Sequence, residues 1–81
     1  MGWFVYILTS QKDGDFYKGI TQNIERRLEE HNSGLSKFTS TKRPWHLVYS
    51  KEYESKREAL IEERRLKKLN RYSLEILIRK G

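Results

Sequence analysis

Ile24, Arg27, Leu28 and His31 recur at the i, i+3, i+4 and i+7 spacing of one helix face. In a soluble domain that face packs inward, yet half of this stripe is polar. Glu63 repeats the pattern. It falls four residues after Ala59, three after Leu60 and three before Leu66, so a carboxylate sits within a second apolar stripe. A buried carboxylate costs several kcal/mol unless a cation, a strong donor or water stands beside it. Two phenols join the set. Tyr17 and Gly19 share one strand face, and Tyr6 shares another with Phe4 and Leu8. If those faces coincide, the phenols meet at the mouth of one cleft, and Gly19 leaves a gap that admits a bulky ligand such as a phosphate backbone. A small domain tolerates inward polar groups most readily where they line a functional cleft.

Each group also has a plainer role. Tyr6 and Tyr17 serve equally as packing residues with solvated hydroxyls. Arg27 suits a helix edge, its stem buried and its head in water. His31 near a helix end complements the helix dipole. Glu63 is spaced i, i+4 for an ion pair with Lys67. Gly19 is structural under either reading.

The elements that must position these groups follow from local pattern. Residues 3–9 are β-branched and aromatic and apolar on both faces, the mark of a central strand covered on two sides. The turn signal at 12–15 and a second strand at 16–20 make a hairpin. Thr21 or Asn23 caps a helix with Glu25 in its first turn, and Asn32-Ser33-Gly34 ends it. A polar, basic loop at 35–44 leads to a third strand at 45–53. Ser55 and Glu58 form a capping box for a charged helix running to about Leu69. Asn70 to Ser73 interrupts it, and Leu74, Leu77 and Ile78 mark a short last helix. The order ββαβαα predicts one α+β domain over residues 1–81, a small three-stranded antiparallel sheet flanked by helices. Trp3 and Trp45 are expected in the core and His46 at the surface.

The 81 residues carry a net charge of +6 and no cysteine. Disulfides and thiolate metal sites are therefore excluded. The apolar run Trp3–Leu8 is too short to span a membrane and has no basic lead-in, and the cytoplasm is the expected compartment. The positive balance favours a polyanion, nucleic acid first. Its cations form two groups, Lys37, Lys42 and Arg43 in the loop, and Arg64, Arg65, Lys67, Lys68 and Arg71 along and after the second main helix. A charge run is usually a solvated face; a nucleic-acid-binding protein would use the same runs for phosphate contacts, which give affinity without sequence information.

The segment "VYIL", then "YKGIT" and "NIERRLEEHNSG", and later "FTSTKRPWHLVYSKEYESKREALIEERRLKKLNR", resembles the GIY-YIG nuclease superfamily, in its small stand-alone (UPF0213-like) branch. The likeness covers nearly the whole chain. Its ordered set is a Tyr, a Tyr-x-Gly, an Arg with a His four residues later, and a helical Glu before a basic run. Val5 and Lys18 depart from the residues that give the family its name, and Ile20 stands where some members carry a lysine. The resemblance implies a metal-dependent endonuclease that hydrolyses phosphodiester bonds of DNA, with structure-specific, repair-type or recombination-type cleavage as one form. It assigns Glu63 to a single Mg²⁺ or Mn²⁺, Arg27 to the scissile phosphate, Tyr6 to water activation, and Tyr17 and His31 to orientation, with His31 an alternative base. It also implies nucleic-acid contacts from Lys37, Lys42, Arg43, Arg64, Lys67, Lys68 and Arg71. Asn70, seven residues beyond Glu63, adds a polar contact if the helix reaches it. The alternative is a non-catalytic nucleic-acid-binding module with the same fold.

Overall fold

Two strands, β1 (Trp3–Ser10) and β2 (Phe16–Thr21), are joined by a tight turn. The computed structural model describes residues 2–35 and 37–81. Ser10 organises the turn, its hydroxyl accepting the backbone N–H of Lys12 at 3.1 Å and of Asp13 at 3.3 Å. Gly14 adopts φ 79° there, a left-handed conformation costly for other residues. A third strand, β3 (Trp45–Tyr53), pairs with the far side of β1. The sheet is antiparallel with the order β2-β1-β3, so β1 is central and Val5 to Leu8 are all buried, as the two-sided apolar run predicted.

Three helices complete the expected ββαβαα order, α1 (Ile24–Ser33), α2 (Lys56–Lys67) and α3 (Arg71–Lys80). A single 3-10 turn at Ser40–Lys42 lies in the loop before β3. Of the two candidate caps for α1, Asn23 is the one used, its side chain accepting the Arg26 N–H. Gly34 ends α1 at φ 86°, donating to the Glu30 carbonyl. Ser55 caps α2 by accepting the Glu58 N–H at 3.2 Å, and its own hydroxyl donates to the Glu58 carboxylate. Asn70 caps α3 by accepting the Ser73 N–H at 2.8 Å. Here the structure corrects the sequence expectation. α2 stops at Lys67, so Asn70 is not carried round the helix to Glu63 and spends its side chain on the next helix.

Alternation along β1 sends its residues to two different environments. Val5 and Ile7 join Ala59, Leu66 and Leu74 in an apolar cluster, with Trp3, Tyr53, Leu77 and Ile78 packed around it. Fully burying one side chain such as Leu66 contributes about 1.5–3 kcal/mol, so this cluster on the α2–α3 side is a large source of the fold's stability. Tyr6, Leu8 and Ser10 face the other way, where the buried groups are His31, Thr39 and Trp45. Trp45 is thus buried, as expected, but outside the main cluster. His46 is exposed.

A bulge settles Trp45's side. Ile7 pairs with Tyr49 but Leu8 pairs with Leu47, leaving Val48 as an extra residue in β3. Without it, Ser10 would face His46 and Trp45 would turn to the opposite face. Asn32 then clamps Trp45 to α1, with its Oδ1 accepting the Trp45 N–H at 2.6 Å and its amide donating to the Trp45 carbonyl at 3.1 Å. Asn32→Ala leaves both groups without that partner. The expected cost is about 1–3 kcal/mol, read as a drop of roughly 4–8 °C in thermal midpoint for each kcal/mol lost. An unchanged midpoint would show that water replaces the clamp.

Candidate active site

The β1–β2 register places Tyr6 opposite Gly19 and Leu8 opposite Tyr17. The two strand faces therefore coincide, and the Tyr6 and Tyr17 rings lie with centroids 6.3 Å apart. The gap at Gly19 is not open to a ligand, however. A Cβ built at Gly19 would stand 2.6 Å from the Tyr6 hydroxyl oxygen. Glycine is needed because Tyr6 lies across β2 at this point, which corrects the expectation that a phosphate backbone would enter there.

Helix α1 delivers Arg27 and His31 to the same side. His31 is fully buried and both its ring nitrogens are engaged. Nε2 is 3.2 Å from the Tyr6 hydroxyl and Nδ1 is 2.8 Å from the Thr39 hydroxyl. Tyr17 packs edge-on against the His31 ring, with centroids 4.8 Å apart. Trp45 closes the cluster from β3, 6.2 Å from Tyr17, while its indole N–H donates to the Thr39 carbonyl at 3.0 Å. Arg27 lies at the rim, its side chain 38% exposed, with Nη1 donating to Glu30 at 2.9 Å.

These surroundings set the protonation states. Burial pushes the Tyr6 phenol up to about 12, with the charges of Tyr17 and Glu63 adding to the rise and Arg27 opposing it. Tyr6 is therefore a neutral phenol near pH 7. Burial lowers the pKa of His31, the Arg27 charge lowers it further, and Glu30 acts weakly the other way. The imidazole is neutral at the same pH, with one nitrogen donating and the other accepting.

Glu63 reaches this set from α2. Its side chain is only 14% exposed and its carboxylate pairs with Lys67 Nζ at 3.5 Å. The cation demanded by an inward carboxylate is thus the i, i+4 lysine. Among the described residues, no three His, Cys, Asp or Glu side chains gather into a ready-made metal cage. One hard oxygen donor at a shielded position fits a Mg²⁺-like ion that takes its other ligands from water and substrate.

The basic residues separate into two kinds. Lys42 Nζ is held by Asp13 and Asp15, and Arg71 pairs with Glu75 while lying 4.7 Å from the Phe16 ring centre. Arg43 donates from Nε to the Ser40 carbonyl at 2.8 Å. Lys37, Arg64 and Lys68 are exposed and carry no ion pair to a described residue. Two residues of the site were not anticipated from sequence. Glu30 was legible, because it stands at i+3 from Arg27. Thr39 had no such signal, being one hydroxyl in a polar loop.

A three-stranded antiparallel sheet carries this polar cluster on one face, and the comparisons with known proteins name the class of domain. The family model described as "GIY-YIG catalytic domain" matches residues 2–75. The chain belongs to the GIY-YIG family, a family of nucleases. It is 44% identical over 69 residues to a UPF0213 protein of Staphylococcus aureus, covering 84% of this chain and 83% of that one. The solution structure of a UPF0213 protein from Bacillus halodurans matches with TM-score 0.64 and 38% identity, covering 100% of this chain and 86% of that one. A protein from E. faecalis, also solved in solution, matches with TM-score 0.68 and 36% identity over 99% and 85% of the two chains. No helix among the described residues is long and apolar enough to cross a membrane.

The lowered His31 pKa links the cluster to stability. The unfolded chain takes up a proton near pH ~6.5, whereas folded His31 does so only at lower pH. Between those values the unfolded state binds more protons, so stability is complete above about pH 6.5 and falls as the pH drops below it. Thermal midpoints between pH 7.5 and pH 5, values chosen above the carboxylate range of about 4, should decline in the wild type and flatten in His31→Gln. A slope unaffected by the substitution would remove His31 as its cause. Gly19→Ala should destabilise by about 1–3 kcal/mol, because the methyl group meets the Tyr6 hydroxyl, and Tyr6→Phe in the same chain should recover part of that loss in denaturant titrations.

Proposed function

We propose that the protein is a metal-dependent endonuclease that hydrolyses phosphodiester bonds of DNA. The observation that carries this reading is the meeting of Arg27 with the Tyr6–His31 pair, on a phenol that also feels the charge of Glu63. Hydrolysis requires a deprotonated water, neutralised charge on the phosphate and a stabilised leaving oxygen. Arg27 keeps guanidinium donors beyond the one given to Glu30, and its planar fork suits two non-bridging phosphate oxygens. Tyr17 orients the phosphate or the attacking water.

The proton route joins the two candidate bases. A phenol at about 12 is too seldom ionised at neutral pH to act alone. With Nδ1–H donated to Thr39, Nε2 of neutral His31 accepts the Tyr6 hydroxyl proton. Tyr6 Oη takes a proton from water as it passes its own to Nε2, leaving a hydroxide and an imidazolium. The hydroxide oxygen bonds to phosphorus, the phosphorus–oxygen bond to the leaving group breaks, and that oxygen is protonated by solvent. Glu63 would hold the Mg²⁺ or Mn²⁺, which supplies positive charge to the phosphate and the leaving oxygen when bound. Lys67 holds the carboxylate in place otherwise. Lys37, Arg43, Arg64 and Lys68 contact flanking phosphates; Lys42, Lys67 and Arg71 join them only by giving up acidic partners, and Asn70 only by giving up its cap.

Cleavage of labelled single-stranded, duplex and branched DNA by pure protein tests the reading, with Mg²⁺, Mn²⁺ or EDTA present. Cutting should require metal, vanish in Glu63→Ala with DNA binding retained, and fall on the order of 10²–10³-fold in Arg27→Ala. Metal-independent binding without cutting, unchanged in Glu63→Ala, would identify a binding module instead.

A further inference from the structure

Phe38 is 82% exposed, on the turn whose next residue, Thr39, holds His31. A single exposed aromatic ring needs no explanation; this one has neighbours that give it a use. Its centroid is 6.3 Å from that of Tyr17. Tyr17 is itself fixed edge-on against His31 and Trp45, at 4.8 and 6.2 Å. Together with Phe16, Lys18 and Lys67, the two rings line a groove of about 410 Å³. The two rings are tilted 54° to one another at that distance, so Tyr17 braces Phe38 rather than facing it across a slot. The solvent-facing Phe38 ring offers the open face, and both charged side chains at the groove are cations.

We infer that Phe38, braced from behind by Tyr17, stacks one unpaired nucleobase, with the adjoining phosphates on Lys18 and Lys67. The inference rests on the nuclease reading in taking the occupant to be a DNA strand. A flat apolar group carrying negative charge on both sides is what an aromatic groove flanked by lysines complements, and stacking is tolerant of base identity. A base inside a duplex is stacked on its own neighbours and cannot enter. The strand bound next to the Tyr6–Arg27 cluster is therefore unpaired at that nucleotide. Because Phe38 and Thr39 share a turn, seating the base also fixes the loop that holds His31. Lys18 carries no ion pair to a described residue, whereas Lys67 reaches the phosphate by giving up its pair with Glu63.

Binding in EDTA isolates this site from cleavage. Fluorescence anisotropy is measured with a short labelled oligothymidylate, the same strand with abasic nucleotides, and a blunt hairpin duplex, at one fixed salt concentration. Phe38→Ala should bind the oligothymidylate about tenfold more weakly while binding to the hairpin and the abasic strand is unchanged. Phe38→Trp should restore the affinity. Because the Phe38 ring is outside the core, the thermal midpoint of each variant should match the wild type. Failure of the wild type to bind the oligothymidylate, no loss in Phe38→Ala, or an equal loss on all three probes would overturn the inference. The two readings fail separately. Tight, Phe38-dependent binding with no metal-dependent cutting removes the nuclease and keeps the stacking site. Metal-dependent cutting that Phe38→Ala leaves intact, together with unaltered binding, removes the stacking site and keeps the nuclease.

Discussion

The imidazole of His31 is the point on which this side of the molecule turns. It has no contact with solvent, and its two nitrogens are bonded to Tyr6 on β1 and to Thr39 in the loop. The circuit continues, because the Thr39 carbonyl accepts the Trp45 indole N–H and the Trp45 backbone is bonded to Asn32, back on α1. Helix, loop and two strands are thus tied through one ring. Leaving either nitrogen without a partner would cost about 1–3 kcal/mol, a large part of the margin on which a domain of this size depends. The circuit also explains Gly19: the Tyr6 hydroxyl that meets His31 occupies the space where a side chain at position 19 would stand.

That polar face is tolerable because the other face is not polar. A short chain buries a modest share of its surface, and here the apolar share is concentrated between the sheet and the α2–α3 pair. Central strand β1 serves both sides, alternating Val5 and Ile7 toward the apolar cluster with Tyr6 and Leu8 toward the site. The sheet therefore separates stabilisation from chemistry by the two-residue period of a strand. Glu63 is the exception, since it arises from the stabilising helix α2 yet its charge is felt at Tyr6, which makes α2 the link between the two faces.

Electrostatics sort the site further than composition does. A net charge of +6 treats every lysine and arginine alike, but the folded chain does not. Lys42 ties the loop before β3 to the β1–β2 turn through Asp13 and Asp15, and its charge is satisfied within the chain. Arg27 spends one donor on Glu30 and keeps the rest of its fork at the rim. The buried members of the cluster, Tyr6 and His31, are neutral near pH 7, while Arg27 holds its charge at the rim and Glu63 is paired with Lys67.

Much of the design was legible from sequence. Strand periodicity set β1 as the central strand, and the capping residues Asn23, Ser55 and Gly34 marked helix ends because their signals are local. Helix spacing alone placed His31 on an inward face and Glu63 amid apolar neighbours, although Arg27 on the same stripe lies at the rim, and the ordered motif set pointed to the family to which the chain belongs. What only the tertiary structure decided depends on contacts between residues far apart in the chain. Nothing local tells that Thr39 will meet His31, that the Val48 bulge turns Trp45 toward the site, or that Tyr6 fills the space at Gly19. The same holds for Asn70, whose cap competes with a helical position beside Glu63, and for Lys42, whose partners are set by the packing of a loop on a turn. Local physics determines which groups face inward; the packing of elements against one another determines what each of them meets there.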